Sequence, residues 1–181
     1  MAVQPQPTPT LTPTPDYITV LQWNANGILP HLAELKNFLS HLHHQPDIIC
    51  LQETHLQPNK HLNIPFYTVE RRDRPNGQTG GGVAILVKHT ITYTVLNPTP
   101  KLEEISINII LRNKTINITN IYNPPKQNLD INIYQSLASK PNTILLGDLN
   151  GHSPLFGGNK TNPSGKVLEQ LIEDNDLVVL N

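Results

Sequence analysis

An apolar run, Thr143-Ile144-Leu145-Leu146, stops abruptly at Gly147 and delivers Asp148, Leu149 and Asn150 within the stretch LLGDLNGHSPLFGG. A buried strand that ends this way hands polar side chains to the mouth of a site. Gly147 lets the backbone turn, or approach a ligand closely where a Cβ would interfere. Asp148 and Asn150 are two residues apart, so on an extended backbone both point to one face. A carboxylate beside a neutral amide suits a site that handles a phosphate and a water. The acid orients or deprotonates the water, and the amide donates to a phosphate oxygen without adding negative charge. The same residues also fit a plain strand followed by an Asx-type turn. Alone, the motif leaves both readings open.

The pattern recurs upstream. Tyr17 to Trp23 is rich in β-branched and aromatic residues, reads as a strand, and ends in Asn24-Ala25-Asn26-Gly27. Pro30 can open a helix whose apolar face is Leu32, Leu35, Phe38, Leu39 and Leu42, and Pro46 ends it. His41, His43 and His44 near its end lack a carboxylate at ligand spacing and read as solvated. The run DIICLQ from Asp47 to Gln52 is a short strand ending at Glu53, with Cys50 as plain core. Strand, helix and strand predict a right-handed crossover with the two strands parallel.

Residues 55–82 are polar and read as an irregular, mobile loop carrying Arg71, Arg72 and Arg74. Such a basic loop contacts phosphates or is simply solvated. Gly80-Gly81-Gly82 lacks the GxxxxGK[ST] arrangement, so it is no nucleotide P-loop. Gly82 to Val87 reads as a buried strand and Thr92 to Leu96 as another. Ile105, Ile107, Ile109 and Leu111, then Ile116 and Ile118, predict an antiparallel hairpin turning at Asn113-Lys114, one face buried. It ends at Tyr122, before Pro124-Pro125. A helix over Leu129 to Leu137 follows. Ser164 can cap another, with Val167, Leu168, Leu171 and Ile172 inward, and Leu177 to Leu180 starts a strand that Asn181 cuts short.

The 181 residues suit one domain behind a Pro/Thr-rich leader, residues 1–15, which cannot bury apolar area and is expected to be disordered. The net charge of −1 gives no global basic field, so any nucleic-acid contact needs a local patch. A single cysteine excludes disulfides within the chain. No apolar stretch approaches a membrane span, and no secretory signal is readable. Four strand ends therefore each present polar groups: Asn24/Asn26, Glu53, Tyr122 and Asp148/Asn150. In open α/β sheets that edge binds ligands. Glu53 facing Asp148 is a hard oxygen ligand suited to Mg²⁺, which keeps waters and binds substrate phosphates. The chemistry implied is hydrolysis at phosphorus.

LQWNANGI, DIICLQETHL, GGGVAILV, NIYNPP and GDLNGHSPLFGG, in this order, resemble the endonuclease/exonuclease/phosphatase superfamily. They look most like the apurinic-type endonuclease domain of non-LTR retrotransposons, particularly jockey-like LINE elements. The resemblance implies a DNase I-like, four-layer α/β sandwich: two mainly antiparallel sheets with helices outside. It implies an Mg²⁺-dependent (Mn²⁺ possible) endonuclease that nicks DNA to prime reverse transcription, acts in the nucleus, and precedes a reverse transcriptase domain. Residue by residue, Glu53 resembles the metal-binding glutamate, and Asn24 and Asn26 the first-strand polar pair, with Asn26 on the metal side. Tyr122 resembles the tyrosine contacting the scissile phosphate, Asp148 the residue activating the water, and Asn150 the one holding the phosphate. His152 and Phe156 fit the retrotransposon form of their loop. The family's final Asp–His pair, on a C-terminal strand, has no counterpart here, so the resemblance implies a domain over 16–181 that lacks its last strands. The alternatives are another phosphoesterase of the superfamily, or a non-catalytic binding remnant.

Overall fold

The computed structural model describes residues 16–74, 80–112 and 114–180. The proline-rich leader, Asn113 of the hairpin turn and Asn181 lie outside the described residues.

Two four-stranded sheets form. In the first, β1 (Val20–Asn24), β2 (Ile48–Gln52), β4 (Val83–Lys88) and β3 (Tyr67–Arg72) lie in that order. In the second the order is β5 (Tyr93–Val95), β6 (Glu103–Ile110), β7 (Thr115–Tyr122) and β8 (Thr143–Asp148). Each sheet has one parallel pair, β1 with β2 and β7 with β8, and its other pairings are antiparallel. The parallel strands are joined through helices, α1 (Ile28–His41) and α2 (Ile131–Ala138). All four therefore end at the same side of the molecule.

Period-two alternation sorts the side chains into layers. Ile49, Leu51, Ala84 and Leu86 face α1 and pack with Leu35 and Leu39. Ile48, Cys50, Ile85 and Val87 face the second sheet and meet Ile107, Ile109 and Ile118. Ile121 faces outward, under Tyr134 and Leu137 of α2 and Leu168 and Leu171 of α3 (Pro163–Asp174). The order helix, sheet, sheet, helices is the expected four-layer sandwich. Cys50 is buried, and burial pushes its thiol pKa well up, as plain core requires.

Several expected boundaries move. The first strand begins at Val20, and α1 starts at Ile28, so Pro30 is its third residue rather than its first. Residues 67–72 are β3 instead of irregular loop. Pairing with β4 along its whole length satisfies a strand too polar to announce itself. Ser164 does not cap α3: Asn162 does, its Oδ1 accepting the Gly165 N–H at 2.7 Å. Leu177 to Leu180 form no strand, and Val178 and Leu180 are exposed. The outer face of the β6–β7 hairpin is buried too. Glu104, Ser106, Asn117 and Thr119 are all buried on that face, and they tolerate burial by bonding one another.

Candidate active site

The parallel pairs set the polar strand ends side by side. Asn24 lies opposite Gln52, and Tyr122 opposite Asp148. Between the sheets, Asn24 Nδ2 donates to Glu53 Oε1 at 2.9 Å and to Asp148 Oδ2 at 2.7 Å. Both amide hydrogens are used, and two carboxylates from opposite sheets converge on one nitrogen.

The i, i+2 pairs do not share a face on extended backbone as expected. Asn26 and Asn150 lie in the left-handed region, with φ of 42° and 47°. The preceding side chains hold those turns: Asn24 Oδ1 accepts the Asn26 N–H, and Asp148 Oδ1 the Asn150 N–H, both at 3.1 Å. The Asx turn and the site are thus one structure. Asn26 is exposed, and its side chain makes no hydrogen bond among the described residues. Asn150 Nδ2 donates to the Asn123 carbonyl at 2.9 Å with one of its two hydrogens.

Gly147 (φ 140°) is needed for close approach, but to its own neighbour rather than a ligand. An added Cβ would overlap the Ile121 carbonyl oxygen on β7. Glu53 also takes positive φ, 48°, in a loop that Gly81 and Gly82 brace. Thr54 N–H donates to Gly82 O at 3.1 Å and His55 N–H to Gly81 O at 2.9 Å. A Cβ on Gly82 would lie 2.7 Å from Thr54 Oγ1.

Tyr122 is buried beside Glu53, and its phenol pKa is pushed up to about 12. Burial is the largest cause and the Glu53 charge next, with Arg74 opposing. The hydroxyl therefore stays protonated and donates.

The three arginines separate. Arg74 reaches the site rim and pairs with Glu103 at 2.7 Å. Arg71 pairs with Asp73 at 3.2 Å and donates to the carbonyls of Lys60 and Gln57. Arg72 donates to the Thr99 carbonyl at 3.2 Å. Two residues at the rim went unnoticed in the sequence. Glu103 accepts the Gly82 N–H at 2.6 Å as well as Arg74. His55 brings Nε2 within 3.3 Å of Glu53 Oε2; its signal was only its place two residues after Glu53. His152 is exposed, its backbone clasped by Asn162 at both N–H and carbonyl, and it borders an open recess with Lys160 and Thr161.

The donor set fits a hard cation that keeps much of its water. Glu53 and Asp148 offer oxygens, and among the described residues no group of three or more His, Cys, Asp or Glu is arranged to enclose a metal ion.

The family model for the endonuclease/exonuclease/phosphatase family matches residues 21–180. The chain belongs to that family. Among relatives, it is 26% identical over 162 residues to the RNA-directed DNA polymerase from mobile element jockey of Drosophila melanogaster. It is 26% identical over 165 residues to the probable RNA-directed DNA polymerase from transposon X-element of the same fly. The matches cover 87% and 88% of this chain but 18% of each relative, so the chain spans under a fifth of their length. Among solved structures, the endonuclease domain of TRAS1, a telomere-specific non-LTR retrotransposon, superposes with a TM-score of 0.70 at 21% identity. It covers 91% of this chain and 75% of that one. The AP endonuclease LMAP from Leishmania major gives 0.66 at 15% identity, covering 87% and 66%. Both establish the DNase I-like α/β fold.

Proposed function

We propose that this chain is the endonuclease domain of a non-LTR retrotransposon, nicking target DNA so that the freed 3′-hydroxyl primes reverse transcription. The observation that carries the reading is the meeting of Glu53 and Asp148, from opposite sheets, on the Asn24 amide. The similarity to jockey and X-element supports the retrotransposon assignment.

Glu53, with Asn26 nearby in sequence, would hold Mg²⁺ or Mn²⁺, which supplies charge stabilisation to the phosphoryl and leaving oxygens when bound. Asp148 orients a water for attack on phosphorus and takes its proton. The bond from phosphorus to the 3′-oxygen breaks as the bond to water forms, and the leaving 3′-oxygen takes a proton from solvent water. Tyr122 keeps its proton and donates a hydrogen bond to a phosphate oxygen; Asn150 donates its second amide hydrogen to the same group. Asn24 orients both carboxylates. Arg74, and beyond it Arg71 and Arg72, line the DNA path on the β3 side, where phosphate contacts need only a local patch. A reverse transcriptase domain in the same polypeptide and action in the nucleus belong to this proposal.

The test is nicking of supercoiled plasmid with Mg²⁺, comparing the chain with Glu53→Ala and Asp148→Ala. Nicking by the parent that both variants lose supports the proposal. Equal nicking by all three sinks the roles given to Glu53 and Asp148, and none by the parent sinks the activity for this chain and favours a non-catalytic binding remnant.

A further inference from the structure

The space between the sheets is filled mainly by aliphatic side chains, Ile and Val foremost, except directly under the site. There Asn120, fully buried on β7, crosses to the first sheet. Its Nδ2 donates to the carbonyls of Leu51 on β2 and Ala84 on β4, at 3.0 and 2.9 Å. Its Oδ1 accepts from Gln52 Nε2 at 2.5 Å, and Gln52 Oε1 accepts from Gln22 Nε2 at 3.1 Å. Gln52 is fully buried as well. Every hydrogen of the Asn120 amide is used, so the network is satisfied rather than merely tolerated.

Placement makes this more than a core bond. Gln52 is the residue before Glu53, and Asn120 sits two residues before Tyr122 on the same face of β7. The reactive set is split between the sheets, with Asn24 and Glu53 on one, Tyr122 and Asp148 on the other. Apolar packing is non-directional, so it sets the sliding register between two sheets less sharply than directional bonds do. A buried, fully paired amide network sets it to within a hydrogen-bond length.

We infer that Asn120, acting through Gln52, is a positioning residue of the active site, fixing Glu53 relative to Tyr122 and Asp148. The inference rests on the proposed function for its purpose, though the lock itself is testable without it. The decisive variant is the double substitution Gln52→Leu/Asn120→Leu. Removing both partners for apolar side chains of similar size is nearly neutral for stability, whereas removing one strands the other. Three quantities are read: the melting temperature, amide hydrogen exchange, and Mn²⁺ affinity by titration.

The expected result is a double variant that melts near the parent, with Thr54 and His55 amides exchanging at least about tenfold faster. Ile85 and Ile107 amides keep the parent's protection. Mn²⁺ affinity falls about tenfold or more, the usual scale for losing a residue that orients a metal ligand. Unchanged exchange at Thr54 and His55 overturns the lock, whatever the stability. Faster exchange with parent-like Mn²⁺ affinity overturns its role in the site. A parent that binds no Mn²⁺ removes the metal from the proposed function, and exchange alone then decides the lock. Should the double variant not fold, Gln52→Met keeps both Asn120–carbonyl bonds, melts lower because Asn120 Oδ1 loses its donor, and is read by exchange at Thr54 and His55 and by Mn²⁺ affinity alone.

Discussion

Asn24 stands between two carboxylates that would repel each other without it. Its amide donates to both, so Asn24→Ala leaves Glu53 and Asp148 facing one another with no shared donor. We expect Mg²⁺-dependent nicking to fall about 10- to 100-fold, on the scale of losing a ligand-orienting group, with the fold intact by circular dichroism. Asn24→Asp, which adds a third negative charge there, is expected to be no better. The tyrosines carry a second prediction. Tyr67, Tyr93 and Tyr122 are each pushed from 10.0 to about 12, burial being the largest cause in all three. The folded state thus binds protons more tightly than the unfolded one. Their stabilising share is fully present below pH 10 and is lost as pH rises from 10 towards 12. Thermal melts across that window should fall steadily, and Tyr93→Phe, which removes the phenol that donates to Glu70 at 2.7 Å, should flatten the fall.

At the scale of elements, the site is made by two strand–helix–strand units whose parallel strands end together. The β7–β8 pair closes only because residue 147 lacks a side chain. Gly147→Ala combines positive φ with overlap on the Ile121 carbonyl, and should cost about 3 kcal/mol or more in denaturant unfolding. The loop after Asn150 depends on α3 in a different way. Asn162 caps the helix, accepts the His152 N–H at 3.0 Å and donates to the Asn150 carbonyl at 2.9 Å. Asn162→Ala should destabilise the protein by about 1–2 kcal/mol, the upper part of the range for a lost cap. It should also loosen the Asn150 turn, seen as faster exchange of its amide.

Across the whole molecule, protection is expected to be uneven. β2, β4, β6 and β7 are interior strands with both edges paired, while β1, β3, β5 and β8 are edges. Amide exchange should therefore last longest in Ile85 and Ile107 and fail first along β8, whose residues are all half-buried. The edges β1 and β8 come close at the site, where Asn24 bonds Asp148. Uniform protection across all eight strands would refute this picture. By itself the sequence determined the strand–helix–strand start, the inward Ile ladder of the β6–β7 hairpin, and polar groups at the strand ends Asn24, Glu53, Tyr122 and Asp148. Those signals are local, because alternation and turn residues act on their own segment. Other features were settled only by packing. β3 is a strand because β4 offers it a partner, and Glu104 tolerates burial because Ser106 and the Thr99 N–H donate to it. Asn24 is marked by the sequence as a polar strand end, but its role as shared donor appears only when a carboxylate 29 positions away and another 124 away arrive beside it. Asn120 falls on the inward face with Ile116 and Ile118, but only the fold shows that its amide spans the sandwich to the Leu51 and Ala84 carbonyls. Partners that far apart in the chain leave no periodicity to read; the tertiary fold alone brings them within hydrogen-bond reach.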